Sequence, residues 1–277
     1  MPARKPDEVA QVAIGTGTTK ARTSWDKTLV AAFLAGAYIS FGALVAIVVS
    51  AGLDPAVWGT LPTLFTGVAF TLGLVLVLVA GSSLLTGNML LVPLSAMSGR
   101  IPTREVARNL GLVLVGNLVG ALVVAFFLAT ETGVIGGPGS EPGTSPALTY
   151  ERLVGIAEGK ALDETAWQVF LRAVGANWLV CLAVWMSLAA ETVSGKILAV
   201  FFPITAFVAM GFDHVVANMF FLPAAIFAGM PELGWLDVGR NWALAFAGNL
   251  VGAVVFVATS YWYLYVKDEP EDATPSG

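Results

Sequence analysis

Charge is what this sequence has least of. Only 12% of its 277 residues are Asp, Glu, Lys or Arg, and 57% are hydrophobic, with a mean hydropathy of +0.80. Soluble domains carry roughly 25% charged residues. A chain this poor in charge cannot coat a water-facing surface of its own size, which makes the lipid bilayer the expected solvent and partner of much of it. Cysteine and histidine are scarcer still, with one of each, Cys181 and His214. One cysteine excludes an intramolecular disulfide and any zinc-ligand spacing, so no metal site and no cofactor are expected. One histidine excludes bis-histidine haem, which removes the main support for a membrane-anchor subunit of a redox enzyme. No Ser/His or Cys/His pair lies in a recognised nucleophilic context, so no catalytic residues are assigned and the protein is read as not an enzyme. The net charge of −5 argues against nucleic acid as a partner. Residues 1–27 are polar and lack the apolar core of a signal peptide.

Long apolar runs are plentiful. They fall at about 28–50, 62–97, 106–130, 166–190, 197–231 and 240–266. Four match a single crossing, which needs about 20 residues. The runs at 62–97 and 197–231 are too long, since unbroken helices of that length would reach roughly 50 Å against a hydrocarbon core of about 30 Å. Charge decides how to divide them. With six crossings and cytoplasmic termini, Arg4, Lys5, Lys20, Arg22, Lys27, Arg100, Arg104, Arg108, Lys196 and Lys267 lie inside. Only Arg152, Lys160, Arg172 and Arg240 then lie outside, as the positive-inside rule requires. Residues 1–27 are thus a cytoplasmic segment, 28–267 a six-helix transmembrane channel domain, and 268–277 an acidic tail expected to be disordered. Residues 131–150, rich in Gly, Pro and Ser, are expected to form a flexible, solvent-exposed external connection. Trp25, Trp58, Trp167, Trp235 and Trp262 fall near span ends, where an aromatic belt belongs.

The chain also repeats itself. GNMLLVPLSA at 87–96 matches ANMFFLPAAI at 217–226, aligning Asn88 with Asn218 and Pro93 with Pro223, and GNLVGA occurs at both 116–121 and 248–253. Each half then holds three crossings, and an odd number sets the second half upside down relative to the first. The fold expected is an all-α membrane protein of six transmembrane helices in two inverted three-helix repeats, with the second and fifth helices broken. Both overlong runs carry the features of a break. GSSLLTGNML at 81–90 places Thr86 among small residues, and a break in lipid survives only when its freed backbone groups are buried in protein or face a wet cavity. GFDHVVANMF at 211–220 sets Asp213 and His214 deep in an apolar run, where ionisable groups are costly and usually functional.

These segments resemble the formate/nitrite transporter family. The resemblance rests on AFTLGLVLVLVAGSSLLTGNML (69–90), NWLVCLAVWM (177–186), GFDHVVANMF (211–220) and GNLVGA (248–253), and it extends over nearly all of residues 28–267. It implies an aquaporin-like protomer in a homo-pentamer of the cell membrane, each protomer with its own pore for a small monovalent anion such as formate or nitrite. It implies that Thr86 is the threonine of the loop breaking the second helix and His214 the central histidine facing it. Leu74, Leu84 and Phe207, with Phe70 as companion, match the apolar constrictions, and Asn177 and Asn249 match the asparagines flanking the histidine. Asp213, Ser83, Asn88 and Asn218 are supporting residues. Three departures stand out: Ser83 where the family often has Glu, GFDH in place of GFEH, and Lys160 one residue further from Gln168 than the vestibule lysine usually lies. The competing reading on the same scaffold is a water- or glycerol-like channel for neutral solutes, although the two NM sequences are not the motifs such channels use.

Overall fold

The computed structural model describes residues 3–268, all helical apart from connections and one isolated bridge between Ala3 and Ala190. The acidic tail lies outside the described residues save for Asp268. The helices run α1 (Pro6–Arg22), α2 (Trp25–Ser50), α3 (Pro55–Trp58), α4 (Leu61–Val79), α5 (Leu85–Met97) and α6 (Thr103–Val123). The second half holds α7 (Ser145–Glu158), α8 (Ala166–Ala189), α9 (Val193–Ala209), α10 (Val215–Phe227), α11 (Trp235–Ala253) and α12 (Ser260–Tyr265). Three helices pass into wider π turns at Val124–Thr130, Gly159–Asp163 and Val254–Thr259. Counted through those turns, five helices are long and apolar enough to cross a bilayer: Trp25–Ser50, Leu61–Val79, Thr103–Thr130, Ala166–Ala189 and Trp235–Tyr265. The remaining apolar helices, α5, α9 and α10, are shorter.

Both overlong runs are interrupted where the sequence predicts. Helix α4 stops at Gly81 (φ 81°) and α9 at Gly211 (φ 71°), left-handed positions that suit a residue without a Cβ. Four residues further on, α5 and α10 begin. Small residues set the spacing between the long helices. A Cβ on Gly36 or Gly120 would lie 2.0 or 2.1 Å from the Asn117 or Phe33 carbonyl oxygen, and one on Gly252 would lie 2.3 Å from that of Val174. The two GNLVGA segments therefore do the same task, letting α6 approach α2 and α11 approach α8 at backbone contact. The outside is apolar: Val49, Phe65, Leu198 and Phe202 are among many exposed hydrophobic side chains. Trp25, Trp58, Trp167 and Trp235 stand exposed near helix ends, while Trp262 is half-buried.

Two segments outside the long apolar runs are also ordered, one of them against the expectation of a flexible connection. The polar N-terminal segment is largely helix, because Val9, Ala10, Ala13, Ile14 and Gly17 recur at helical spacing and form one buried face. That face lies on α5, where Ser95 Oγ donates to the Ile14 carbonyl at 2.7 Å. The connection at 131–150 is tied down rather than free. Ile135 is buried, Gly136 N–H donates to Pro146 O, Thr149 Oγ1 donates to Val134 O, and α7 already starts at Ser145. A single apolar side chain in a Gly/Pro-rich stretch is enough to anchor it.

Candidate functional site

Breaking a helix frees backbone groups that must find partners when buried. Two asparagines supply them. At the first break, Asn117 Oδ1 accepts the Leu85 N–H at 2.8 Å, and its Nδ2 donates to the carbonyls of Ser83 at 3.0 Å and Ala32 at 2.7 Å. At the second, Asn249 Oδ1 accepts the Val215 N–H at 2.9 Å, and its Nδ2 donates to Asp213 O and Ala173 O, both at 2.8 Å. A carboxamide suits this role because it carries acceptor and donors on one planar group. Both residues are the Asn of GNLVGA. Asn117 is a site residue that the sequence reading left out, although its repeated motif was the signal that would have found it. Asn177 braces the same region, donating to Asn249 O at 2.8 Å and to Thr86 O at 3.4 Å.

A second pair of asparagines, one turn into each restarted helix, holds the break loops. Asn88 Nδ2 donates to Ser83 Oγ and Asn109 Oδ1; Asn218 Nδ2 donates to Asp213 Oδ1 and Asn241 Oδ1. Asn109 and Asn241 then donate to the carbonyls of Lys20 and Lys160. The two lysines complete matching chains. Lys160 Nζ reaches Asp213 Oδ1 at 3.1 Å and Phe212 O at 3.3 Å, while Lys20 Nζ reaches Ser83 Oγ at 3.3 Å and Ser82 O at 3.2 Å. Lys20, Asn109 and Asn241 were not singled out from the sequence.

With both loops so held, the N-terminal ends of α5 and α10 meet. Thr86 Oγ1 and His214 Nε2 are 2.8 Å apart, and both residues are buried. His214 also caps its own helix, its Nδ1 accepting the Ala217 N–H at 3.1 Å. A ring nitrogen that accepts an N–H carries no proton, which leaves the proton of the neutral ring on Nε2 and makes Thr86 Oγ1 its acceptor. Two helix N-termini converging on one point concentrate partial positive charge there.

Two cavities lie near this pair, one of them reaching His214. One, of about 750 Å³, is bordered by Phe70, Phe207, His214, Arg152, Lys160 and Glu164. Phe70 and Phe207 meet edge to face at 5.9 Å between centroids, and Phe207 lies 5.9 Å from the His214 ring. The other, of about 270 Å³, is bordered by Leu74, Leu84, Asn88, Val184 and Lys20. Each apolar pair thus shares a cavity with one lysine.

The larger cavity has an electrostatic layer that sequence reading missed. Glu164, in the turn before α8, is ion-paired with Arg172 and lies near the Asp213 carboxyl. Burial, and next the charge of Asp213, push the Glu164 carboxyl up to about 7. Glu164 Oε2 and Asp213 Oδ2 are buried and have no hydrogen-bond partner among the described residues. On the other side, burial without a carboxylate partner draws the Lys20 ammonium down to about 8. Among the described residues no cluster of His, Cys, Asp and Glu could hold a metal.

A helical membrane protein with two interrupted helices meeting over a buried Thr–His contact, and two cavities nearby, belongs among the transporters and channels. The sequence model described as "Formate/nitrite transporter" matches residues 7–263. The "Uncharacterized transporter YrhG" of Bacillus subtilis is 45% identical over 96% of this chain and 95% of its own length. The "Formate channel BtFdhC" of Bacillus thuringiensis is 38% identical over 95% and 96%. A solved structure titled "Pentameric formate channel with formate bound" superposes with a TM-score of 0.74 at 28% identity, covering 87% of this chain and 98% of that one. The chain belongs to the formate/nitrite transporter family.

Proposed function

We propose that the protein carries a small monovalent anion of the formate or nitrite class across the cell membrane, through a pore in each protomer of a homo-pentamer. In this reading six crossings form two inverted repeats, α4–α5 and α9–α10 are the broken second and fifth helices, and both termini face the cytoplasm. The 2.8 Å contact between Thr86 and His214, where both helix N-termini converge and the larger cavity reaches the imidazole, carries the proposal. A bare anion loses hydration worth many kcal/mol on entering a greasy slit. Lys160 on the outer side and Lys20 on the inner side draw it in. Phe70 and Phe207, or Leu74 and Leu84, then exclude water and any ion that keeps its shell.

At the centre His214 offers an N–H. An anion that displaces Thr86 as the acceptor of the Nε2 proton receives two donors, the imidazole N–H and the freed Thr86 hydroxyl, beside two positive helix ends. The ring serves as a hydrogen-bond donor and keeps its proton. Releasing it would leave an imidazolate unless Nδ1 picked one up, and Nδ1 is committed to the Ala217 N–H. Protonation of the passing anion, where it occurs, draws on water in the cavities.

The test is influx of isotopically labelled formate and nitrite into liposomes carrying the purified protein, alongside stopped-flow swelling in water and glycerol gradients. Saturable anion influx, steeper at low external pH, is the expected result. Swelling without anion influx would overturn the proposal in favour of a neutral-solute channel.

A further inference from the structure

The charges around the larger cavity do not cancel, and the surplus sits on Arg152. Lys160 is paired with Asp213 and Arg172 with Glu164. Arg152, on α7, has no carboxylate within 4.0 Å among the described residues. It is held by two hydroxyls: Nε donates to Ser50 Oγ at 2.9 Å and Nη2 to Thr66 Oγ1 at 3.0 Å. Those hydroxyls have their own protons committed to backbone, Ser50 to Ala46 O at 2.7 Å and Thr66 to Pro62 O at 2.7 Å, so each can only accept from the guanidinium.

The choice of atoms matters. A guanidinium has five N–H donors and two edges suited to bidentate binding. Ser50 and Thr66 occupy the side edge, formed by Nε and Nη2. The end edge, formed by Nη1 and the second proton of Nη2, has no protein partner among the described residues, and Arg152 lines the cavity. Burial depresses the Arg152 pKa, the signature of a cation stripped of water without a counter-charge. An Arg fixed by neutral acceptors along one edge, and unmatched along the other, is shaped for a planar oxyanion.

We propose that Arg152, positioned by Ser50 and Thr66, is an anion-capture subsite at the wall of the larger cavity, where a small carboxylate or nitrite docks end-on before it passes Phe70 and Phe207. The subsite rests on the transport reading for its purpose, though not for its existence. Lys160, neutralised by Asp213, is the weaker attractor on this side, and Arg152 supplies the charge that Lys160 lends to its neighbour.

Thermal unfolding of the purified oligomer tests the subsite directly. Sodium formate replaces sodium gluconate at constant ionic strength, with labelled-formate influx measured in parallel. Wild type should gain Tm as formate rises. Arg152→Gln should need at least fivefold more formate for half the effect, and Arg152→Lys should stay within about twofold. In influx, Arg152→Gln should raise the half-saturating concentration by a similar factor while keeping most of the maximal rate. Superimposed Tm curves for wild type and Arg152→Gln, no rise in wild type, or a loss of maximal rate alone would overturn the subsite. Arg152-dependent stabilisation without influx would leave it standing and bring down the transport reading instead.

Discussion

The break at 81–84 and the break at 211–214 are built on one polar scaffold and differ in what that scaffold presents. Both stop at a left-handed glycine, both are clamped by the asparagine of GNLVGA, and both restart into a helix whose Asn88 or Asn218 reaches back to the loop. The repeat aligns Leu84 with His214, Ser83 with Asp213 and Thr86 with Val216. One half thus supplies a greasy side chain where the other supplies the imidazole, and a hydroxyl where the other supplies a valine. The two breaks share one polar scaffold, and three differing positions divide the chemistry between them.

The largest effect should come from erasing that division. His214→Leu turns the second break into a copy of the first and removes the central donor. Loss of one preorganised donor to a developing or desolvated charge costs about 10²–10³-fold in rate elsewhere. Formate influx should fall at least about 100-fold, with the oligomer intact by size exclusion. Influx within tenfold of wild type would place the selective step away from the histidine.

Next comes the scaffold itself, which should be equally needed on both sides. Asn117→Leu and Asn249→Leu each strip a buried N–H and a break carbonyl of the asparagine partner they now have, at about 1–3 kcal/mol per group. Both should lose most of their folded oligomer at 37 °C, measured by the monodisperse fraction in detergent. If Asn117→Leu were tolerated while Asn249→Leu was not, the two halves would not share a common structural logic.

The comparison also explains what could be read from the sequence. Asn88, Asn218 and the two breaks were legible because the repeat holds a constant offset of 130 through them, and Thr86 and His214 because a small-residue break and an ionisable group stand out in apolar runs. Asn109 and Asn241 lie 132 apart, in register with the GNLVGA repeat, but the residues between match poorly; Lys20 and Lys160 lie 140 apart, so a longer insertion hides their equivalence. Lys20 is further disguised by its setting in a polar segment, where a lysine reads as solvated. Its burial comes from α1 folding onto α5, a tertiary event with no local signal beyond a helical stripe of small residues. The π turns leave no mark in an already apolar run. Glu164, Arg172 and Arg152 look like ordinary loop and helix charges until the fold closes them around one cavity.

A smaller effect should follow from making the two lysines alike. Asp213→Ser gives Lys160 the hydroxyl neighbour that Lys20 has, and frees its charge. Half-saturation for formate entering from the Lys160 side should fall about two- to fivefold, because the charge of Lys160 is no longer shared with a fully buried carboxylate. A rise would mean that the carboxylate positions Lys160 more than it neutralises it.

The smallest effect, and the sharpest test of the contrast between the lysines, is the titration of Lys20. Burial holds its ammonium at about 8, and no carboxylate opposes that shift. Below that pH the lysine is charged and attracts an anion into the smaller cavity; above it the attraction fades. Efflux started from the Lys20 side should therefore decline through an inflection near pH 8, by about two- to threefold, and Lys20→Gln should remove the inflection while leaving influx at pH 6 from the other side little changed. Stability must move the opposite way. The folded pKa lies below the unfolded value of about 10.4, so between about pH 8 and 10 the unfolded chain binds more protons, and linkage makes the folded state gain stability as pH rises through that window. Wild-type Tm should thus gain on Lys20→Gln between pH 8 and 10 even as efflux falls. A lysine fully solvated, as its sequence context suggests, would produce neither change.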